Sequence, residues 1–211
     1  MEWKNIDKGW KAAFGKAWEA FNENMVPIGC VIQNESDETL VSGINTIFSK
    51  ESKNMTLYNN QLAHAEINTI LLLDEFHQKN VRKYTLYATL EPCILCFGAI
   101  VMGNIRFVKF AARDKYGGAT SINETHEYTR SKNIQIEGPF EQLEYLQICL
   151  FSYYELKNNP EKCEILLSDF EKDCYKGVLI AREFFQNKTL DKYEKEGKNI
   201  EYVYNKIIER I

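Results

Sequence analysis

The sequence predicts an α/β domain of three layers, with helices on both faces of one sheet, followed by a helical C-terminal extension. Three observations carry this. Short strand-like runs alternate with helical stretches in the order α-β-β-α-β-α-β. Nothing after residue 160 alternates like a strand. At 211 residues the chain holds one substantial core, with room for an appendage but not for a second full-sized domain.

In chain order, Trp3, Ile6, Trp10, Phe14, Ala17, Trp18 and Phe21 recur every three or four residues and predict an amphipathic helix ending near Asn24. Ile28 to Ile32 and Thr39 to Ile44 flank a polar connection and predict a hairpin. Asn45 to Gln61 is polar and aperiodic, a long loop of the kind that often serves a site. A helix is expected from His64 to Phe76, a strand from Tyr84 to Thr89, and an apolar helix from Cys93 to Met102. Arg106 to Ala111 reads as a strand, Ile134 to Ile136 as a weak one, and Phe140 to Leu156 as a helix. Residues 1–157 therefore form the layered domain and residues 158–211 the extension. In the extension, Ile165, Leu166, Phe170, Cys174, Val178, Ala181 and Phe185 share one helical stripe, and a second helix spans Tyr202 to Ile211 beyond Gly197.

Composition narrows the class. Hydrophobic residues make up 45% and charged residues 27%, which fits a packed interior and neither a membrane nor a disordered chain. The net charge is −4, so no overall positive field attracts nucleic acid, and residues 156–211 hold 11 basic and 11 acidic residues. The longest apolar run, Cys93 to Gly103, is too short to cross a bilayer, and the N-terminus lacks a signal-peptide pattern. Six cysteines without a framework spacing suit reduced thiols and one metal or redox site, so a cytoplasmic protein is expected.

The chemistry concentrates in His64-Ala65-Glu66 and Pro92-Cys93-Ile94-Leu95-Cys96. Alone, the Cys-x-x-Cys pair also fits redox or core cysteines; the His-x-Glu before a helix and the proline before the first cysteine favour a metal. His64, Cys93 and Cys96 give zinc three protein ligands and leave a fourth position for water, the mark of a catalytic site. Glu66 stands close enough to reach that water without being a ligand. His77 and His126 have no ligand spacing, and Cys30, Cys149, Cys163 and Cys174 read as small buried residues.

These motifs resemble the H-x-E…P-C-x-x-C signature of the cytidine deaminase-like superfamily, most closely its tRNA adenosine deaminase and guanine deaminase branch. Thr89 to Ile100 is similar to that branch's second zinc motif, and Val26 to Val31, Gly43-Ile44-Asn45 and Ala112 to Ala119 resemble its flanking segments. The resemblance implies a central mixed sheet, a Zn2+ cofactor, a homodimer, and hydrolytic deamination with Glu66 as the proton carrier. It also implies substrate contacts from the Asn45 side chain and the Ala65 backbone N–H. Two departures bear on the substrate. Eighteen residues separate Asn45 from His64, more than the tRNA enzymes are expected to have, and the tail is charge-neutral rather than basic. The expected substrate is therefore a small nucleobase, nucleoside or related amino-heterocycle. The alternatives are the anticodon-loop adenosine of tRNA and a non-catalytic zinc-stabilised binding domain. Phe14, Met25, Phe48, Phe97 and Tyr116 are the residues from which the pocket's shape is expected.

Overall fold

The computed structural model describes residues 2–211. Its five strands are β1 (Gly29–Gln33), β2 (Thr39–Ile44), β3 (Thr85–Leu90), β4 (Phe107–Ala112) and β5 (Gln135–Glu137), in the spatial order β2-β1-β3-β4-β5. β1 pairs antiparallel with β2 and β3, whereas β3–β4 and β4–β5 are parallel, so the sheet is mixed.

Alternation along the strands sorts their side chains between two helical layers. Val31, Tyr87 and Ala111 enter one cluster with helices α1 (Lys8–Asn22) and α7 (Glu141–Asn158). Cys30, Ile32, Leu86, Ala88 and Val108 enter another with α2 (Ala65–Leu71) and α4 (Ile94–Met102). Close approach is allowed where side chains are missing. A Cβ at Gly29 would collide with the Ala13 carbonyl oxygen of α1. One at Gly43 would lie 2.6 Å from Thr69 Oγ1 and 2.9 Å from the Ala65 oxygen, so the first turn of α2 is seated directly on β2.

Several elements differ from the sequence reading. The N-terminal helix starts at Lys8, and Trp3–Asn5 form a separate 3-10 turn, although Trp3 and Ile6 still enter the α1 core. The helix expected from His64 to Phe76 stops at Leu71, because Asp74 caps a new short helix, α3 (Glu75–Gln78), by accepting the His77 N–H at 2.9 Å. Two short helices, α5 (Ile122–Thr125) and α6 (Glu127–Arg130), lie in the polar stretch between β4 and β5, to which the sequence reading assigns no element.

The extension contains α8 (Cys163–Gln186), α9 (Thr189–Lys195) and α10 (Ile200–Ile208). It shares the α1/α7 cluster through Phe184, Leu190, Val203, Tyr204 and Ile207. α8 bends at Cys174, whose φ of −135° and ψ of 57° leave the helical range. The buried stripe runs through the bend, with Cys163, Leu167, Phe170 and Cys174 before it and Val178, Ala181 and Phe184 after it, but Ile165, expected to belong to the stripe, is 71% exposed.

Candidate metal centre

Two helix starts meet at the site. His64 is the N-cap residue of α2 and Cys93 that of α4, with Glu66 and Cys96 in or near the first turns. Because β1 and β3 are neighbours and α2 and α4 pack on the same face, residues 29 positions apart converge. His64 Nδ1 lies 3.5 Å from Cys93 Sγ and 3.4 Å from Cys96 Sγ. All three ligand atoms fall within 4.8 Å of one another. Tetrahedral zinc with ordinary Zn–S and Zn–N bonds requires an N···S edge of about 3.5 Å, so this donor set fits the ion in type and spacing.

The electrostatics suit a cation. The Cys93 thiol is pulled down to about 4, chiefly by its interaction with Cys96 and then by His64. Cys96 is pushed up by the same interaction and by burial. The Cys93 thiolate also holds the His64 imidazole above its ordinary value. Glu66 is 4% exposed, and burial raises its carboxyl; its Oε2 accepts a hydrogen bond from Cys96 Sγ at 3.3 Å.

Residues 4–112, just over half of the chain, match the cytidine and deoxycytidylate deaminase zinc-binding region. The chain belongs to this deaminase family. A tRNA-specific adenosine deaminase of Aquifex aeolicus is 33% identical over 175 residues, 80% of this chain and 95% of that protein. Another, from Rickettsia bellii, is 32% identical over 117 residues, 54% of this chain and 74% of its own. A solved guanine deaminase from Nitrosomonas europaea, 15% identical, aligns with a TM-score of 0.51 over 69% of this chain and 82% of that one, and shows the fold alone. The protein is thus a zinc-dependent deaminase of α/β fold.

Around the deaminase's metal centre, Asn45 is 3% exposed, and its Oδ1 accepts the Ile47 N–H at 3.2 Å, leaving its Nδ2 without a partner among the described residues. The Ala65 N–H, at the first position of α2, likewise has no partner among the described residues. Phe14 and Phe97 are fully buried in the two cores, so neither shapes a pocket. Met25 and Phe48 line a cavity of ≈ 720 Å³ with Lys50, Lys53 and Tyr154, and Tyr116 is 69% exposed.

The sequence reading passed over Asn68. This fully buried amide accepts the Leu57 N–H at 2.9 Å and donates to Thr46 Oγ1 at 2.8 Å and the Ile44 oxygen at 3.3 Å. It ties the long loop to the helix that carries His64 and Glu66. The available signal was the polar pair Asn68-Thr69 directly after Ile67 in a helix whose buried positions also include Glu66.

Several cations of the layered domain face carboxylates. Lys53 pairs with Glu51 (3.1 Å) and Glu23 (3.5 Å), Lys109 with Glu137 (3.1 Å), Arg113 with Glu91 (3.6 Å) and Lys115 with Asp173 (3.5 Å). Among the described residues, no helix is long and apolar enough to cross a membrane.

Proposed function

We propose that this deaminase acts on a free amino-purine or amino-pyrimidine, as base or nucleoside, replacing the exocyclic amine by a carbonyl with one water consumed and one ammonia released. His64, Cys93 and Cys96 would hold the zinc. When bound, the ion supplies the Lewis acidity that makes water nucleophilic at neutral pH.

The chain's own groups do the rest. Glu66 takes a proton from the attacking water, returns it to the ring nitrogen, and then carries a proton to the departing amine. Its burial suits that duty, since a carboxyl raised toward neutrality both takes and gives a proton. The unpartnered Asn45 Nδ2 and Ala65 N–H orient the ring by donating to its acceptors.

One observation supports the choice of a small substrate: Lys53, Lys109, Arg113 and Lys115 each face a carboxylate, which leaves Lys50 of the long loop and Arg106 as the neighbouring cations without an ion pair among the described residues. Phosphate tracking by RNA needs cations free to replace counterions. A second reading, a tRNA substrate, is favoured by the Aquifex relative, whose similarity runs over nearly its whole length. Ammonia release screened over adenine, guanine, cytosine and their nucleosides, beside inosine formation in unmodified tRNA, separates the two. Turnover of a small heterocycle is expected; tRNA editing without it reverses the assignment.

The same reading includes a homodimer and a reducing, cytoplasmic setting. Ile94 and Met102 on α4 are 65% and 69% exposed, with Gly98 between them on the same face, and the Tyr128 hydroxyl meets Met102 Sδ at 3.8 Å. This exposed apolar face, which a second copy would cover, supports the dimer, and cysteines without disulfides suit a reducing compartment.

A further inference from the structure

Glu91 ends the run from β3 to the first cysteine, and it is 6% exposed. Its carboxylate contacts all go to a single segment. Oε2 accepts the Asp114 N–H at 3.3 Å and lies 3.6 Å from Arg113 Nη1. Oε1 accepts the Thr120 N–H at 3.2 Å and also the Thr120 hydroxyl. Glu91's own N–H donates to the Ala112 oxygen at 2.8 Å.

The same segment touches the cysteine end of the site. Gly118 and Cys93 form an antiparallel bridge, and the Ala119 N–H donates to the Pro92 oxygen at 3.0 Å. Residues 113–120 contain no helix and no strand, yet they are gripped along their length. Glu144 of α7 accepts the Arg113 N–H at 2.9 Å, and Asp114 Oδ1 accepts the N–H groups of Tyr116 at 3.0 Å and Gly117 at 2.9 Å. What this grip presents to solvent, two residues before the bridge to Cys93, is the Tyr116 ring. A buried carboxylate is the side chain that accepts from several donors at once without bringing one of its own.

We propose that Glu91 is a positioning residue, which sets residues 113–120 as a rigid rim against Cys93 and thereby governs the grip on substrate rather than the chemical step. This rests on the zinc-deaminase reading of the site and deepens it. The exposed Tyr116 ring gives the rim a flat apolar face for a heterocycle. Glu91 itself touches no reacting atom.

Two perturbations reach the same carboxylate from opposite sides. Glu91→Gln replaces one acceptor oxygen by a donor that faces backbone N–H groups. Gly118→Ala leaves the charge in place, but its Cβ would lie 2.5 Å from the Glu91 carboxyl group. Zinc per chain, kcat, KM and amide hydrogen exchange are measured on the full-length protein. In both variants zinc should stay at the parent's level and kcat within about threefold, while KM rises about tenfold. The Asp114 and Thr120 amides should exchange faster than in the parent. Faster exchange with unchanged KM would overturn the rim's role, and loss of zinc would show instead that Glu91 supports the ligand set. Should the parent release no ammonia from any heterocycle, the site reading falls. In that case unchanged exchange sinks the Glu91 role separately, and faster exchange with zinc retained upholds the clamp.

Discussion

The surroundings of Glu66 and of Glu91 make an instructive pair. Both carboxylates are nearly buried, at 4% and 6% exposure, and each lies two residues from a proposed metal ligand. Glu91 is saturated, its oxygens taken by Asp114, Thr120 and Arg113. Glu66 meets one side chain only among the described residues, the Cys96 thiol. Nearby, Asn45 Nδ2 and the Ala65 N–H are also unspent. A buried polar group left unsatisfied costs stability, so a substrate that completed these groups would recover part of that cost, whereas the satisfied Glu91 holds the scaffold.

The strongest way to sharpen this contrast is to remove the site's own groups one at a time, first a proposed ligand and then the proton carrier. Cys93→Ala should lose zinc and lower the melting temperature, because metal binding at a three-ligand site is linked to folding. Glu66→Ala should keep zinc and lower the ammonia-release rate by about 10²–10⁴-fold, the span of a lost proton carrier. Metal analysis beside an ammonia assay reads both. A full zinc equivalent in the cysteine variant, or turnover near the parent's rate in the glutamate variant, would put the contrast on the wrong residues.

The next effect falls on the saturated side. Asn68→Ala strips partners from the Leu57 N–H, Thr46 Oγ1 and the Ile44 oxygen, and it should cost about 1–3 kcal/mol in denaturant unfolding. The penalty should be local, with faster exchange in the loop between Asn45 and His64 and zinc retained. A variant as stable as the parent would mean that the long loop owes its order to something other than this amide.

How far the site was legible follows the same division. His64, Glu66, Cys93 and Cys96 were legible because their order resembles the zinc signature of a known family, with which the donor types of a three-ligand metal site agree. Asn68, Glu91 and Glu144 were not, since their partners are backbone groups or hydroxyls far along the chain: Thr120 stands 29 residues from Glu91, and Arg113 31 from Glu144. Backbone donors leave no trace in residue identity. The layers were legible from period alone, as Val31 and Ile32 show by entering opposite cores. The bend at Cys174 was not, because the stripe runs through it with little change of spacing. Asp74 was counted in a helical pattern although an aspartate before Glu75-Phe76-His77 is equally a cap, and the cap won.

The smallest effect tests the saturated side by pH. Glu144 is 9% exposed, and burial, its largest influence, raises its carboxyl above the ordinary 4.5, while the Arg113 N–H that it accepts opposes the rise. A raised value in the folded state means that the fold binds this proton more tightly than the unfolded chain does. The contribution to stability is therefore fully present below the unfolded value and is lost as pH climbs through the folded one. Glu144→Gln keeps an oxygen for the Arg113 N–H and removes the charge that burial opposes. Melting temperatures compared between pH about 4 and about 7 should show the variant gaining on the parent as pH rises. The same gap at both ends would mean that burial does not penalise the Glu144 charge. A gap that closes upward would mean that the ionised form is the one the fold prefers, with the Arg113 hydrogen bond outweighing desolvation, and Glu144 would then grip the rim as a carboxylate in the same way as Glu91.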